Sequence, residues 1–206
     1  MLDRINTLKS YIRDINLSML MSDSKFNVEL DVSKRFNTKF RLLMPNRKLI
    51  KYVIELGGVI TGSRSMKCYS INGKPVLKRK CIDWDFIITR EMMFKIADKF
   101  EVEYNLVNEF ISVCKQRWWS HHAYSDSTRV GPVDVHLIIK DELPDYIEQD
   151  GVKVCKLDYV IKEKIKMIND LHNTTSNSNY MSHRTEKVEL EKHIDDLNEM
   201  IIMVNS

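Results

Sequence analysis

The chain has 206 residues, and 43% of them are apolar, which is enough to fill the core of one domain. Its 32 basic and 29 acidic residues give a net charge of +3, which excludes the strongly basic footprint of a dedicated nucleic-acid binder but not a local basic patch. Because the sequence shows neither a signal-peptide layout nor a membrane-length apolar run, we expect a cytoplasmic protein that does not enter membranes. Its 4 cysteines lie singly, which predicts reduced thiols.

The chain is expected to form a single domain of three segments. Residues 1–45 predict an N-terminal helical extension, because apolar residues recur at helical spacing over 2–20, whereas the pattern of 23–44 assigns no element. Residues 46–155 alternate helical and strand patterns, and 156–206 predicts a helical tail. The fold class is therefore α/β, with helices at both ends.

The central segment predicts short strands between helices. Asn46 caps a predicted helix, and Asn72-Gly73 is the strongest signal of a two-residue hairpin turn. The predicted elements, in chain order, are helix 46–56, strand 59–61, hairpin strands 68–71 and 75–77, strand 81–89, helix 90–100, a helical stripe over 106–114, and strands 130–139 and 152–155. Two amphipathic helices follow, separated by a polar loop over 173–183.

Two aspartates interrupt the apolar strand over 81–89. Asp83 and Asp85 flank Trp84, and because side chains alternate along a strand, both carboxylates are predicted to emerge on one face. Neighbouring carboxylates in an apolar strand need a shared proton or a cation, and Mg²⁺, which prefers oxygen ligands, suits them. Solvated turns often contain an isolated pair of this kind, so the interpretation depends on the apolar residues around it.

A third aspartate, Asp134, lies between two valines in the predicted strand over 130–139. Three carboxylates on neighbouring strands can hold two metal ions about 4 Å apart, the arrangement that assists in-line phosphoryl displacement. The sequence therefore predicts a two-metal site at Asp83, Asp85 and Asp134, for Mg²⁺ or Mn²⁺. A strand-end cap or an ion pair is the alternative for Asp134.

A glycine and a serine, Gly62-Ser63, follow the short apolar strand over 59–61. Glycine lets the backbone approach an anion, and serine offers a hydroxyl and an amide to phosphate oxygens. Alone, this dipeptide indicates only a turn. With Asp83 and Asp85 on the next core strand, it predicts a phosphate-binding segment beside a metal site.

These motifs resemble the signature of the DNA polymerase β-like nucleotidyltransferase superfamily. The signature is a Gly-Ser after an apolar strand, a strand with two aspartates between hydrophobic residues, and a third aspartate in a later strand. The matching segments are Gly62-Ser63-Arg64-Ser65, Ile82-Asp83-Trp84-Asp85-Phe86 and Val133-Asp134-Val135. Residues 154–164 and 192–197 look like the helical tail of small bacterial and viral members, which include toxin-type enzymes.

The resemblance implies a nucleotidyltransferase fold, in which helices flank a mixed, twisted sheet, and an enzyme that moves NMP from an NTP such as ATP to an acceptor hydroxyl and releases pyrophosphate. The residues implied to bind nucleotide are Gly62, Ser63, Arg64 and Lys164, and those implied to bind metal and catalyse transfer are Asp83, Asp85 and Asp134. The chain departs from the pattern in the long spacing from Ser63 to Asp83 and in Met66, where many relatives carry a second arginine.

Lys164 also has support from its own helix, because it falls on the apolar stripe, where a lysine needs an anion or must extend to the helix edge. His136 shares the face of Asp134, where it orients a ligand or fills a structural role.

The basic residues around the hairpin favour an RNA 3′ end, particularly tRNA, as acceptor; they are Lys74, Lys78, Arg79 and Lys80.

Several functions compete with this hypothesis. The same chemistry on a protein side chain or a small molecule would suit a toxin-type or resistance-type enzyme. A catalytically inactive module would bind nucleotide or RNA, but the three aspartates and Ser63 are all present. A metal-dependent glycosyltransferase also uses paired aspartates, yet it predicts neither the upstream Gly62-Ser63 nor the lysine at position 164.

Overall fold

The computed structural model describes residues 27–36, 44–81, 83–100, 103–105, 110–112, 135–177 and 183–204, which contain short strands and helices in mixed order. The predicted helical extension over 2–20 and the third aspartate, Asp134, lie outside these residues. Within them the fold is mixed α/β, as the sequence predicts. Of the helices in this part of the chain, none is long and apolar enough to cross a membrane.

The strands are β1 (Val28–Leu30), β2 (Val59–Ile60), β3 (Tyr69–Ile71), β4 (Lys74–Pro75), β5 (Trp84–Thr89), β6 (Glu103–Asn105), β7 (Phe110–Ser112), β8 (Val135–Lys140), β9 (Tyr146–Gln149) and β10 (Val152–Cys155). The helices are α1 (Met44–Glu55), α2 (Gly62–Lys67), α3 (Arg90–Phe100), α4 (Leu157–Asn177) and α5 (His183–Val204), with a 3-10 helix at Val32–Phe36.

The contacts between residues divide the chain into two compact units. The first, called the helical unit here, comprises Met1–Leu30, Tyr69–Lys78 and Leu157–Ser206. The second, called the sheet unit, comprises Asp31–Cys68 and Arg79–Lys156. Each unit is therefore assembled from segments that are distant in sequence.

The sheet unit is built on a five-stranded mixed sheet with the strand order β8-β5-β2-β10-β9. The pairs β5–β8 and β2–β10 are parallel, whereas β2–β5 and β9–β10 are antiparallel. The central strands carry fully buried apolar side chains, including Ile60, Phe86 and Val154. Helices α1 and α3 contact β5, and each buries apolar residues at helical spacing.

The helical unit pairs α4 with α5 and contains the three-stranded sheet β1-β3-β4. The helices bury residues that recur at helical spacing: Leu157, Ile161, Ile168, Leu190, Ile194 and Leu197. In the hairpin, Asn72 and Gly73 have φ angles of 51° and 74°, which is the left-handed backbone that a tight two-residue turn requires. The sequence signal at Asn72-Gly73 is thus confirmed.

Most predicted elements of the central segment are confirmed. Helix 90–100 matches α3, and the predicted helix over 46–56 begins two residues earlier, at Met44. Asn46 therefore lies inside the helix, and the prediction that it caps the helix is wrong. Strand β10 pairs antiparallel with β9 across a tight turn, in which Asp150 and Gly151 have positive φ angles. Gly62-Ser63, expected in a turn, begins the short helix α2.

Two local predictions are wrong. The helical stripe over 106–114 contains β7, which pairs antiparallel with β6. Phe110 and Ile111 are aromatic and β-branched residues that suit a strand as well as a helix, so the spacing of apolar residues did not decide between them. The polar loop expected over 173–183 is shorter, because α4 continues to Asn177.

Candidate active site

Strand pairing brings the Gly-Ser segment next to the aspartate strand. In the antiparallel register of β2 and β5, Ile60 pairs with Phe86, and the Thr61 amide donates a hydrogen bond to the Asp85 carbonyl at 2.9 Å. The chain turns into α2 at Gly62, directly after this bond. The two motifs are therefore neighbours because β2 and β5 are adjacent in the sheet.

Gly62 lies close to the Asp85 side chain. Its φ is +63°, and a Cβ atom built on it would meet the carboxylate of Asp85, with Cγ only 3.2 Å away. Any side chain at this position would thus collide with Asp85 and would also strain the backbone. The sequence predicts a glycine that admits an anion, and the anion beside it in this structure is the Asp85 carboxylate.

Asp85 also has a partner on β8. The parallel register pairs Asp85 with His136, and His136 Nδ1 donates to Asp85 Oδ1 at 2.9 Å. Both side chains are about one-quarter exposed, at 23% for Asp85 and 27% for His136. The bond is therefore half-buried, and a ligand from solvent can reach the carboxylate.

Asp83 lies just before β5 and is half-buried, whereas Trp84 between the two aspartates is fully buried. This alternation is what the strand pattern predicts. The third predicted carboxylate, Asp134, immediately precedes β8 in sequence but lies outside the described residues. Among the residues that the structure describes, no group of three or more potential metal ligands from His, Cys, Asp and Glu is found.

The arginine of the Gly-Ser motif, Arg64, is fully buried. Its Nε donates to the Asp83 carbonyl at 2.8 Å, its Nη1 donates to the Arg35 carbonyl, and its guanidinium lies 4.2 Å from the centre of the Trp84 ring. Burial lowers the pKa of Arg64 from its ordinary value, against the opposing effect of neighbouring acidic groups. Arg64 therefore fixes the backbone that carries the first aspartate, although the resemblance implies a contact with nucleotide.

A second arginine contacts the serine of the motif. Arg79 is half-buried, and its Nη2 donates to Ser63 Oγ at 2.7 Å. The sequence places Arg79 among the residues expected to bind acceptor, together with three lysines that are exposed, Lys74, Lys78 and Lys80. Its contact with Ser63 sets Arg79 apart from them.

Lys164 belongs to the helical unit, where it is 4% exposed on the buried face of α4. Its Nζ donates to Asp196 Oδ2 at 2.9 Å and lies 3.2 Å from His193 Nδ1. The apolar stripe correctly predicts that Lys164 is buried. The anion that partners Lys164 in this structure is the carboxylate of Asp196. Asp196 lies in the tail segment that resembles the superfamily.

Sequence reasoning missed two contacts and carried a partial signal for each. His136 stands two residues after Asp134, so period-two alternation already places it on the face of the carboxylates. Its bond to Asp85 needs the register of β5 and β8, which a single sequence does not supply. Arg79 is 16 residues from Ser63, and a run of basic residues conceals which of them turns inward.

A scan against protein-family models and searches of curated proteins and of solved structures each find no match to this chain. The resemblance to the nucleotidyltransferase superfamily therefore depends on the sequence motifs alone.

Proposed function

We propose that this protein is a metal-dependent nucleotidyltransferase that transfers NMP from an NTP to an acceptor hydroxyl and releases pyrophosphate. The observation that carries the proposal is the close approach of Gly62 to the carboxylate of Asp85, which leaves no room for a Cβ atom. Nucleotidyl transfer requires a phosphate-binding segment beside metal-binding carboxylates, because the charge of a cation held by the carboxylates would have to act on the phosphate oxygens. This juxtaposition also favours the nucleotidyltransferase fold among mixed α/β folds.

The chemistry of the donor set fits Mg²⁺. Asp83, just before β5, and Asp85, on β5, offer half-buried carboxylate oxygens, and hard divalent cations prefer such ligands. Asp134, the residue before β8, is proposed as the third carboxylate and as the acceptor of the proton from the attacking hydroxyl. Held by these carboxylates, Mg²⁺ or Mn²⁺ would supply charge stabilisation at the phosphate oxygens and would increase the acidity of that hydroxyl.

The remaining residues divide the work of binding the triphosphate. Gly62 and Ser63 offer backbone and hydroxyl donors to phosphate oxygens. Arg64 orients Asp83 through its bond to the Asp83 carbonyl instead of meeting the phosphates. Lys164 is proposed to meet the triphosphate on the strength of the resemblance alone, in addition to its bond to Asp196.

An RNA 3′ end, particularly that of a tRNA, is proposed as the acceptor. Lys74, Lys78 and Lys80 are exposed and would contact its phosphates. If they do, the triple alanine variant should bind acceptor RNA more weakly, and each lost contact should reduce the slope of log affinity against log salt by roughly 0.7 to 0.9. An unchanged slope would favour a protein or small-molecule acceptor over RNA.

The test is a labelling experiment with each α-³²P-labelled NTP in turn, in the presence of Mg²⁺ and either total RNA or cell lysate. We expect one class of macromolecule to become labelled by the wild-type protein. The Asp85→Asn variant should lose transfer by at least about 100-fold, because it removes a proposed metal ligand.

The matched control is Asp98→Asn, which removes the same charge from an exposed position on α3 of the same unit. Its transfer activity should equal that of the wild type. Equal activity of Asp85→Asn and wild type would overturn the proposed chemistry. Binding of NTP without any labelled product would favour the inactive nucleotide-binding module.

A further inference from the structure

We propose that Arg79 binds the phosphates of the NTP together with Ser63, and that the two residues form one anion-binding pair. This inference rests on the proposed function and deepens it, because it replaces the motif arginine with a residue from the segment that lengthens the Ser63-to-Asp83 spacing. The observation that carries it is the 2.7 Å hydrogen bond from Arg79 Nη2 to Ser63 Oγ.

The direction of this bond matters for the serine. A guanidinium only donates hydrogen bonds, so Ser63 Oγ accepts from Arg79 and directs its own hydrogen elsewhere. A hydroxyl that accepts from a cation is polarised to donate, and the partner that suits such a donor is an anionic oxygen. A phosphate oxygen bound by the Ser63 hydroxyl would then lie within reach of the arginine charge.

The chemistry of arginine suits the phosphate chain. A guanidinium carries five N–H donors in a planar fork, so one bond to Ser63 is compatible with further bonds to a phosphate. Arg79 is half-buried, and partial removal from water strengthens its attraction to an anion relative to an exposed lysine. Arg64 cannot take this part without rearrangement, since it is fully buried and bonded to two backbone carbonyls.

The experiment measures binding of inorganic tripolyphosphate, which carries the phosphate chemistry without a base, and of ATP, by isothermal titration calorimetry. We expect Arg79→Ala to weaken tripolyphosphate binding by about 10- to 100-fold, as for loss of a charge-assisted hydrogen bond. Arg79→Lys keeps the charge but not the planar set of guanidinium donors, so it should lose less affinity for tripolyphosphate than Arg79→Ala. Ser63→Ala should also weaken binding while retaining Arg79.

The control is Arg90→Ala, which removes the same side chain from a site 49% exposed and paired with Asp141. Its affinity for tripolyphosphate should stay within about threefold of wild type. Equal losses in Arg79→Ala and Arg90→Ala would show a general charge effect and overturn the inference, as would unchanged affinity in Arg79→Ala. Unchanged tripolyphosphate affinity with weakened RNA binding would assign Arg79 to the acceptor and also overturn it.

The proposed function and this inference fail in different ways. If the wild-type protein binds neither tripolyphosphate nor any NTP, both are overturned. If it binds them and Arg79→Ala binds them equally well, only the role of Arg79 is overturned. Should Arg79→Ala not fold, as judged by circular dichroism, Arg79→Lys and Ser63→Ala decide the question, and wild-type affinity in both would overturn the inference.

Discussion

Each of the two units holds an aspartate bonded to a basic side chain, and the two pairs differ in their access to water. In the helical unit, Lys164 and Asp196 meet at 2.9 Å and are 4% and 2% exposed. In the sheet unit, Asp85 and His136 meet at the same distance but are 23% and 27% exposed. Because the two distances are equal, the difference between the pairs is how far each is exposed to water.

This difference separates a bond that holds two helices from a bond that a ligand can exchange. A charge that is sealed from water must keep its partner, because an uncompensated buried ion is costly. A half-exposed carboxylate loses less stabilising free energy when its partner leaves, since water or a cation can replace that partner. Asp85 therefore suits a binding role, and Asp196 suits a structural one.

The comparison predicts effects of very different size on stability for the same chemical change. Asp196→Asn should lower the free energy of unfolding by about 3 to 5 kcal/mol, because the buried ammonium of Lys164 loses its carboxylate. Asp85→Asn should change it by less than about 1 kcal/mol. Urea unfolding followed by circular dichroism measures both, and equal losses in the two variants would contradict the distinction.

Replacing both members of the sealed pair sharpens the comparison. The double variant Lys164→Met with Asp196→Leu should recover stability to within about 1 to 2 kcal/mol of wild type, because no buried charge is left uncompensated. ATP affinity of the same variant tests the second role proposed for Lys164. We expect it to fall about tenfold; unchanged affinity with restored stability would assign Lys164 to structure alone.

Glycine substitutions probe the open site with a matched backbone. Gly62 and Gly151 have φ angles of +63° and +70°, so alanine strains both, by about 1 to 2 kcal/mol. Only at Gly62 would the new Cβ meet a side chain, that of Asp85, because nothing lies within 4 Å at Gly151. Gly62→Ala should therefore weaken transfer by more than tenfold and Gly151→Ala should not. Parallel measurements of melting temperature and of transfer separate the two effects, and equal activities would contradict the role of the Gly62 contact.

The sequence predicts elements of both units because their signals are local. Helix 90–100, the Asn72-Gly73 turn and the aspartate strand each follow from the spacing of apolar residues or from the backbone demands of a turn. The region over 106–114 shows the limit of this reasoning, because a short apolar run fits a helix and a strand equally well. Pairing with a neighbouring strand decides such a case, and the local sequence alone does not predict that pairing.

The candidate site follows the same rule. Gly62, Asp83 and Asp85 could be selected from sequence because their residue types conflict with an apolar surrounding. Their partners could not be chosen, since His136 depends on strand register and Arg79 on which member of a basic run turns inward. Arg64 shows the converse, because its position in the motif suggests a ligand contact whereas its burial gives it a structural one.

A neutral buried group completes the comparison between sealed and open sites. Cys68 is fully buried in the sheet unit, and burial raises the pKa of its thiol from 9.0 to about 12, against the opposing effect of Arg35 and Arg64. A raised pKa means that folding disfavours the thiolate. The contribution of the protonated Cys68 thiol to the free energy of unfolding is thus fully present below pH 9 and declines as the pH rises toward 12.

Because the thiolate is the reactive form, Cys68 should resist iodoacetamide at pH 8 in the folded protein and react once urea unfolds the chain. Peptide mapping by mass spectrometry distinguishes Cys68 from the other cysteines. Raising the pH from 8 to 9 should increase its labelling far less in the folded protein than in urea, since the folded thiol stays protonated over that range. Labelling of folded Cys68 at the rate seen in urea would show that the sheet unit opens around α2, and the contrast between sealed and open sites would then not extend to this thiol.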